Sequence, residues 1–135
     1  MSGFALDTNI ISFYLKDNKT VKRNLERELD AKIDVLIPPF AYYEAMRGLA
    51  AINAARLLRL FDELLIRCPM GPINQAMFKA AVDIYAELKA KGWNIDEIDI
   101  LIAAWCKTYG LTLVTNNTRH FANIPGLALA DWSAA

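Results

Sequence analysis

Short apolar segments alternate with longer helical patterns along this chain, and that alternation limits its fold more than any other feature. The apolar runs GFAL at 3–6, DVLIPP at 34–39 and LTLV at 111–114 are bounded by polar or turn-forming residues, as buried strands are. Strands that alternate with helices predict an α/β fold, in which a central parallel sheet is flanked by helices on both faces.

The helices are predicted from their periodicity and caps. In KTVKRNLERELDA, Val21, Leu25 and Leu29 are four residues apart with charges between them, which is typical of an amphipathic helix. The other elements are predicted in the same way. They are helices at 10–16 (capped by Asp7, Thr8 or Asn9), 40–51, 52–65, 73–92 and 96–109, a possible strand at 66–70 and a last strand within 127–132.

The composition bounds the class of protein. The 135 residues, of which 55% are hydrophobic, suit one domain at 1–135 with one sizeable core. Basic and acidic residues balance at 15 each, so any nucleic-acid contact must come from local patches. Two distant cysteines and one histidine make a zinc site or a disulfide framework poor fits. The sequence shows neither a membrane span nor a secretory pattern, and we expect a cytoplasmic location.

Polar side chains follow two of the predicted strands directly. In open parallel sheets, ligands bind outside the carboxyl ends of the strands, so residues at these ends are the candidates for a site. They are Asp7, Thr8 and Asn9 after the first strand, and Thr115, Asn116 and Asn117 after a later one.

Four acidic residues have both an ordinary and a functional interpretation. Asp96 suits a helix N-cap, Asp7 suits a cap or an Asx turn, and Glu44 could pair with Arg47 on a helix face. Asp99 heads an apolar helix, where an ionised carboxylate is costly unless it is paired or bound to a cation. Together, Asp7, Glu44 and Asp99 can converge at one end of a parallel sheet, and such a group of oxygens suits Mg²⁺ or Mn²⁺.

Four segments give the chain a resemblance to a known family. They are LDTNIIS at 6–12, PFAYYEAMRG at 39–48, IDEIDILIAAWCKTYGLTLVTNN at 95–117 and TRHFANIPGLALADW at 118–132. In this order they resemble the PIN-domain ribonucleases and, among those, the VapC toxins of bacterial toxin–antitoxin pairs. The resemblance implies a PIN-like α/β domain.

The resemblance also implies a set of site residues. The acidic metal ligands of the family fall on Asp7, Glu44 and Asp99, with Mg²⁺ as the cofactor and Mn²⁺ as a possible substitute. A further acid that the family often carries is replaced here by Asn117, and a second tightly bound metal is therefore in doubt. Supporting roles fall on Thr8, Asn9 and Thr115, which match residues that line the family's site, and on Asn117 with Asn116 beside it. Asp96 matches no core ligand of the family, and capping is favoured for it over binding a metal through water or filling the second place.

The implied activity is endonucleolytic hydrolysis of RNA that leaves a 5′-phosphate and a 3′-hydroxyl and inhibits translation. Transfer RNA, notably the initiator form, and ribosomal RNA are the implied substrates, and Arg119 and His120 are possible RNA contacts. A VapB-type antitoxin and a homodimer are the implied partners, and no membrane is involved.

Two other functions use the same residues. A DNA or flap nuclease would need the same acids, but the chain is short for the added DNA-binding elements of such enzymes. A catalytically weak, PIN-fold nucleic-acid-binding module is favoured by the missing fourth acid and disfavoured by the three acids that are present.

Overall fold

A computed structural model of the chain describes residues 3–134, which form four strands and seven helices. The strands are β1 (Gly3–Leu6), β2 (Asp34–Leu36), β3 (Thr112–Val114) and β4 (Leu129–Ala130). The helices are α1 (Thr8–Leu15), α2 (Lys19–Asp30), α3 (Pro39–Ala51), α4 (Ala55–Arg67), α5 (Gln75–Ala90), α6 (Glu97–Tyr109) and α7 (Thr118–Phe121).

The strands form one parallel sheet in the order β2-β1-β3-β4. In the central pairs, Phe4 aligns with Val35 of β2 and Ala5 aligns with Leu113 of β3. Because every pair is parallel, the carboxyl ends of the strands lie at one edge. The predicted α/β fold class, with a central parallel sheet, is therefore confirmed.

The core lies between the sheet and the helices, and α6 supplies its most deeply buried helix. Trp105 is fully buried, and its indole Nε1 donates to the Pro72 carbonyl at 2.9 Å. The other large side chains with almost no exposed surface come from several elements. They include Leu6, Ile10, Ile11, Leu25, Ile37, Phe61, Leu64, Met77, Leu88, Ile102 and Phe121.

Several predicted helices begin or end one or two residues from their observed bounds, and two predictions within 52–70 differ more. The possible strand at 66–70 is wrong, because α4 continues to Arg67 and Met70 makes only an isolated bridge with Ile37. The helix predicted from residue 52 begins at Ala55, because Asn53 adopts a left-handed backbone with φ of 51° that interrupts it.

No helix within residues 3–134 combines the length and the apolar character that a membrane crossing requires.

Candidate active site

Asp7 is held at the end of β1 by local and distant hydrogen bonds. Its backbone N–H donates to the Val114 carbonyl at 2.9 Å, which continues the β1–β3 pairing by one residue. Its Oδ1 accepts from the Thr8 backbone N–H at 2.8 Å, so Asp7 is the N-cap of α1, as predicted. Its Oδ2 accepts from Thr115 Oγ1 at 2.7 Å. The carboxylate therefore lies fixed, with neutral hydrogen-bond donors.

The surroundings of Asp7 disfavour the ionised form of its carboxylate. The residue is only 5% exposed, and burial raises the pKa of its carboxyl to about 6. The hydrogen bonds from Thr115 and Thr8 lower the pKa, but by less than burial raises it. The nearby charges of Asp99 and Glu44 raise this pKa further. A buried acid with acidic neighbours is what a cation would stabilise.

Glu44 reaches the same region from α3. Its Oε1 accepts a hydrogen bond from Thr8 Oγ1, and its Oε2 lies 3.9 Å from Arg47 Nη2. The predicted helix-face pair with Arg47 is thus present, but it is a long contact with a half-exposed arginine. The bond from Thr8 is what attaches Glu44 to the end of β1.

Asp99 lies in the first turn of α6, with its side chain 20% exposed. Burial raises the pKa of its carboxyl, a hydrogen bond and charge from His120 lower it, and the charges of Glu44 and Asp96 raise it. His120 Nε2 lies 2.8 Å from Asp99 Oδ2. The carboxylate at the head of this apolar helix therefore lies against an imidazole and other acids.

Asp96 does not cap α6 with its side chain, which corrects the simpler interpretation of this residue. It occupies the N-cap position, and its carbonyl accepts from the Ile100 N–H at 3.1 Å, but its exposed carboxylate makes no cap hydrogen bond. A surface carboxylate keeps its hydration at little cost, so it gains little by turning back to the helix. Its charge still contributes to the raised pKa of Asp99.

The polar residues after β3 connect the two strand ends. Thr115 Oγ1 accepts from Asn9 Nδ2 at 3.4 Å and from the Asn117 N–H at 3.0 Å. Asn9 Oδ1 accepts from the Asn116 N–H at 3.2 Å, and Asn116 Nδ2 donates to Ser133 Oγ at 3.0 Å. Asn9, Thr115 and Asn116 therefore fix the backbone around Asp7. Asn117 is exposed and precedes α7, and its role as a fourth ligand stays a prediction.

The donor chemistry of this region suits a hydrated divalent cation. Within residues 3–134, no three Asp, Glu, His or Cys side chains come together closely enough to enclose an ion by themselves. Mg²⁺ usually keeps several of its waters and takes only one or two carboxylates directly, whereas a closed cage of protein ligands is typical of Ca²⁺. Asp7, Glu44 and Asp99 therefore fit a cation that retains water, and their role as ligands stays a prediction.

Sequence reasoning missed the contact between His120 and Asp99. Both Arg119 and His120 lie on α7, just after the polar turn, and the sequence indicates both as possible RNA contacts. In the structure Arg119 is exposed, whereas His120 meets Asp99 on another helix. Asp99 and His120 are 21 positions apart, so no local sequence pattern links them. The available signals were that His120 is the single histidine of the chain and that it follows the polar turn.

The sequence of the chain matches a known protein family and several of its members. Residues 4–127 match the family model of the PIN domain. The tRNA(fMet)-specific endonuclease VapC of Salmonella typhimurium is 45% identical over 137 residues, which cover 98% of this chain and 99% of that protein. The protein of the same description from Shigella flexneri is 29% identical over 136 residues, covering 98% of this chain and 100% of that protein.

The fold agrees with a solved complex as well. A chain in the crystal structure of VapBC2 from Rickettsia felis, bound to a DNA fragment from their promoter, superposes with a TM-score of 0.90 at 27% identity. The superposition covers 98% of this chain and 99% of that one. The chain belongs to the PIN-domain family, whose nucleases generally use divalent metals, and within it to the VapC ribonucleases.

Proposed function

We propose that this chain is a Mg²⁺-dependent endoribonuclease that acts as the toxin of a toxin–antitoxin pair, with initiator tRNA as its substrate. The observation that carries the proposal is the buried carboxylate of Asp7, which has neutral hydrogen-bond partners and two further acids, Asp99 and Glu44, close enough to raise its pKa. The proposed substrate is supported by two relatives described as tRNA(fMet)-specific, which match nearly the whole chain.

Asp7, Glu44 and Asp99 would hold the cation, with Mn²⁺ able to replace Mg²⁺. When bound, the cation lowers the pKa of a water molecule and stabilises negative charge on the phosphodiester. The residues of the chain supply rigidity. Thr115 and the N-terminus of α1 fix Asp7, and Thr8 fixes Glu44, so the carboxylates are held in place before the ion arrives.

RNA recognition is local in this proposal, because the chain has no net charge. Arg119 is exposed beside the site on α7 and supplies a contact to a phosphate. Exposed Asn116 and Asn117 add hydrogen-bonding groups at the same edge. A protein with few cationic contacts depends on the shape of its RNA, which agrees with a structured substrate such as tRNA.

An apolar groove leads away from the acids between α1, α3 and α4 and is where we place the VapB-type antitoxin. It has a volume of about 250 Å³, and Glu44 and Thr8 lie in its wall. An amphipathic helix with a basic side chain would bury its apolar face there and neutralise the acids. The apolar lining consists of Ile11, Leu15, Ala45, Leu49, Ile52 and Leu57.

A homodimer is the second assembly in the proposal. Phe78, Val82 and Tyr85 follow one another at helical spacing on α5 and are 46%, 63% and 47% exposed. An exposed apolar stripe of this kind is typical of a protein–protein contact. We place the protein in the cytoplasm, where its RNA substrate lies and where two free, buried cysteines agree with a reducing environment.

Cleavage of purified initiator tRNA, elongator tRNAs and ribosomal RNA by the wild type and by Asp7→Asn and Asp99→Asn tests the function. With Mg²⁺ or Mn²⁺ we expect the wild type to cut initiator tRNA at one site. Each variant should lose at least about 100-fold in rate, because an amide is a weaker ligand than a carboxylate. Removal of the metal with EDTA should abolish the cut.

The matched control is Asp30→Asn, an exposed residue at the end of α2 that precedes β2 and thus lies towards the opposite edge of the sheet. It should cleave at the wild-type rate. If folded Asp7→Asn and Asp99→Asn cleave as fast as Asp30→Asn, the acids are structural and the proposal fails. If an elongator tRNA or ribosomal RNA is cut instead, the ribonuclease function stands and the substrate is wrong.

A further inference from the structure

The contact between His120 and Asp99 joins two helices at the edge of the site. His120 Nε2 lies 2.8 Å from Asp99 Oδ2, and both side chains are partly shielded, at 31% and 20% exposed. When Asp99 is ionised, its carboxylate only accepts hydrogen bonds, so the tautomer that makes this bond has its proton on Nε2 and the Nε2–H donates a hydrogen bond to Oδ2. In this arrangement Nε2 has no lone pair available for a metal.

The imidazole is itself held in place. Its ring meets Phe121 edge-on, with the centroids 5.3 Å apart and the planes at 83°, and Phe121 is buried in the core. The turn before α7 is fixed by the Asn117 N–H, which donates to Thr115 Oγ1, the same hydroxyl that donates to Asp7. The hydrogen bonds of Thr115 Oγ1 therefore help to position both Asp7 and the imidazole that contacts Asp99.

The three acids of the site share one feature. Each carboxylate accepts a hydrogen bond from a side chain on a different element: Thr115 for Asp7, Thr8 for Glu44 and His120 for Asp99. Carboxylates that bind metals are commonly fixed in this way, and the loss of such a partner weakens metal binding.

We propose that His120 is a positioning residue, which holds Oδ2 of Asp99 and leaves Oδ1 to the divalent cation. This inference rests on the metal site of the proposed function. It assigns to His120 a role inside the protein, in place of the RNA contact that the sequence indicates.

The competing roles of His120 predict different effects on metal binding. If the imidazole competes with the cation for Asp99, its removal should strengthen binding. If it contacts only RNA, its removal should leave the binding of metal to RNA-free protein unchanged. A positioning role alone predicts weaker binding.

The test is the affinity of RNA-free protein for Mn²⁺, measured by electron paramagnetic resonance of the free ion at one fixed pH. His120→Phe keeps a ring against Phe121 and removes the donor, and we expect it to bind Mn²⁺ about 10- to 100-fold more weakly than the wild type. His120→Gln places an amide N–H near the position of Nε2, and it should recover most of the affinity. Arg119→Ala, one residue away, controls for charge and should not weaken binding.

Circular dichroism establishes that each variant is folded before its affinity is compared. Equal or tighter Mn²⁺ binding by His120→Phe would overturn the positioning role, and so would a His120→Gln variant as weak as His120→Phe. Asp7→Asn separates this inference from the proposed function. If the wild type binds Mn²⁺ no better than Asp7→Asn, the metal site itself fails and the role of His120 fails with it.

Discussion

At the scale of single residues, the burial of Asp7 costs stability in the metal-free protein, and its proposed role as a metal ligand would account for that cost. Burial raises the pKa of its carboxyl from the ordinary 3.8 to about 6, so the metal-free folded protein holds this proton more tightly than the unfolded chain does. At neutral pH the group is ionised in both the folded and the unfolded chain, and its charge then destabilises the fold. In the proposed metal site, a bound cation would reverse that effect and offset the cost of placing this acid at the edge of the core.

Asp7→Asn is expected to stabilise the metal-free protein at pH 7.5. A pKa raised from 3.8 to about 6 corresponds to a cost of up to about 3 kcal/mol above pH 6. The gain will be smaller than this, because the amide N–H₂ would face Thr115 Oγ1, which already accepts two hydrogen bonds. Thermal or urea unfolding in EDTA measures the difference in the free energy of unfolding between variant and wild type.

The stability that Asp7→Asn gains over the wild type should depend on pH in a defined direction. Between pH 3.8 and about 6 the folded chain holds a proton that the unfolded chain has lost, so this group destabilises the fold progressively as the pH rises. The advantage of Asp7→Asn should therefore be complete above about pH 6 and absent below pH 3.8. An advantage that does not change with pH would show that burial of the charge is not its cause.

At the scale of elements, α6 combines the acids with the most buried helix. Ile102, Ala103, Ala104 and Trp105 have no exposed surface, so this helix is fixed against the sheet and α5 along most of its length. Its first turn reaches the edge where β1 and β3 end, and it carries Asp99 there. An apolar helix thus holds a charged group in place, because its own packing leaves it little freedom to move.

Two glycine substitutions test how the end of one helix and the interior of another contribute to the stability of the protein. Gly110 ends α6 in a left-handed conformation with φ of 66°, so Gly110→Ala should destabilise the protein by about 1–2 kcal/mol. Gly48 lies within α3, and an added Cβ would meet nothing within 4 Å beyond its chain neighbours and the backbone of its own helix, so Gly48→Ala should stabilise the protein by about 0.5–1 kcal/mol. Opposite shifts in the urea midpoint are expected, and shifts of the same sign would contradict this account.

At the scale of the whole molecule, the surface of α5 decides how copies of the chain associate in our proposal. Val82→Lys places a charge in the stripe with Phe78 and Tyr85 and should convert a dimer to a monomer in light scattering coupled to gel filtration. The control is Ile66→Lys, which changes an isoleucine on α4 that is 84% exposed. It should leave the dimer intact. A dimer that survives Val82→Lys would place the interface elsewhere.

Most of the elements could be predicted from the sequence, because their signals are local. The strand at 3–6, the helices after it and the N-cap at Asp7 depend on periodicity and on neighbours one to four residues away. The errors were local as well. The left-handed backbone at Asn53 cannot be predicted from the spacing of apolar residues. The run at 66–70 contains the end of α4 and a single bridge, so it resembles a strand only in composition.

The α/β class, the order of the elements, the family and the candidate acids Asp7, Glu44 and Asp99 can all be inferred from the amino-acid sequence. The side chains that hold these acids become evident only in the packed fold. Thr115 meets Asp7 across 108 positions, and His120 meets Asp99 across two helices. The first contact exists because the parallel sheet brings the ends of β1 and β3 together, and the second because α6 and α7 lie against each other at the same edge. Side chains far apart in sequence share an edge only once the core has packed.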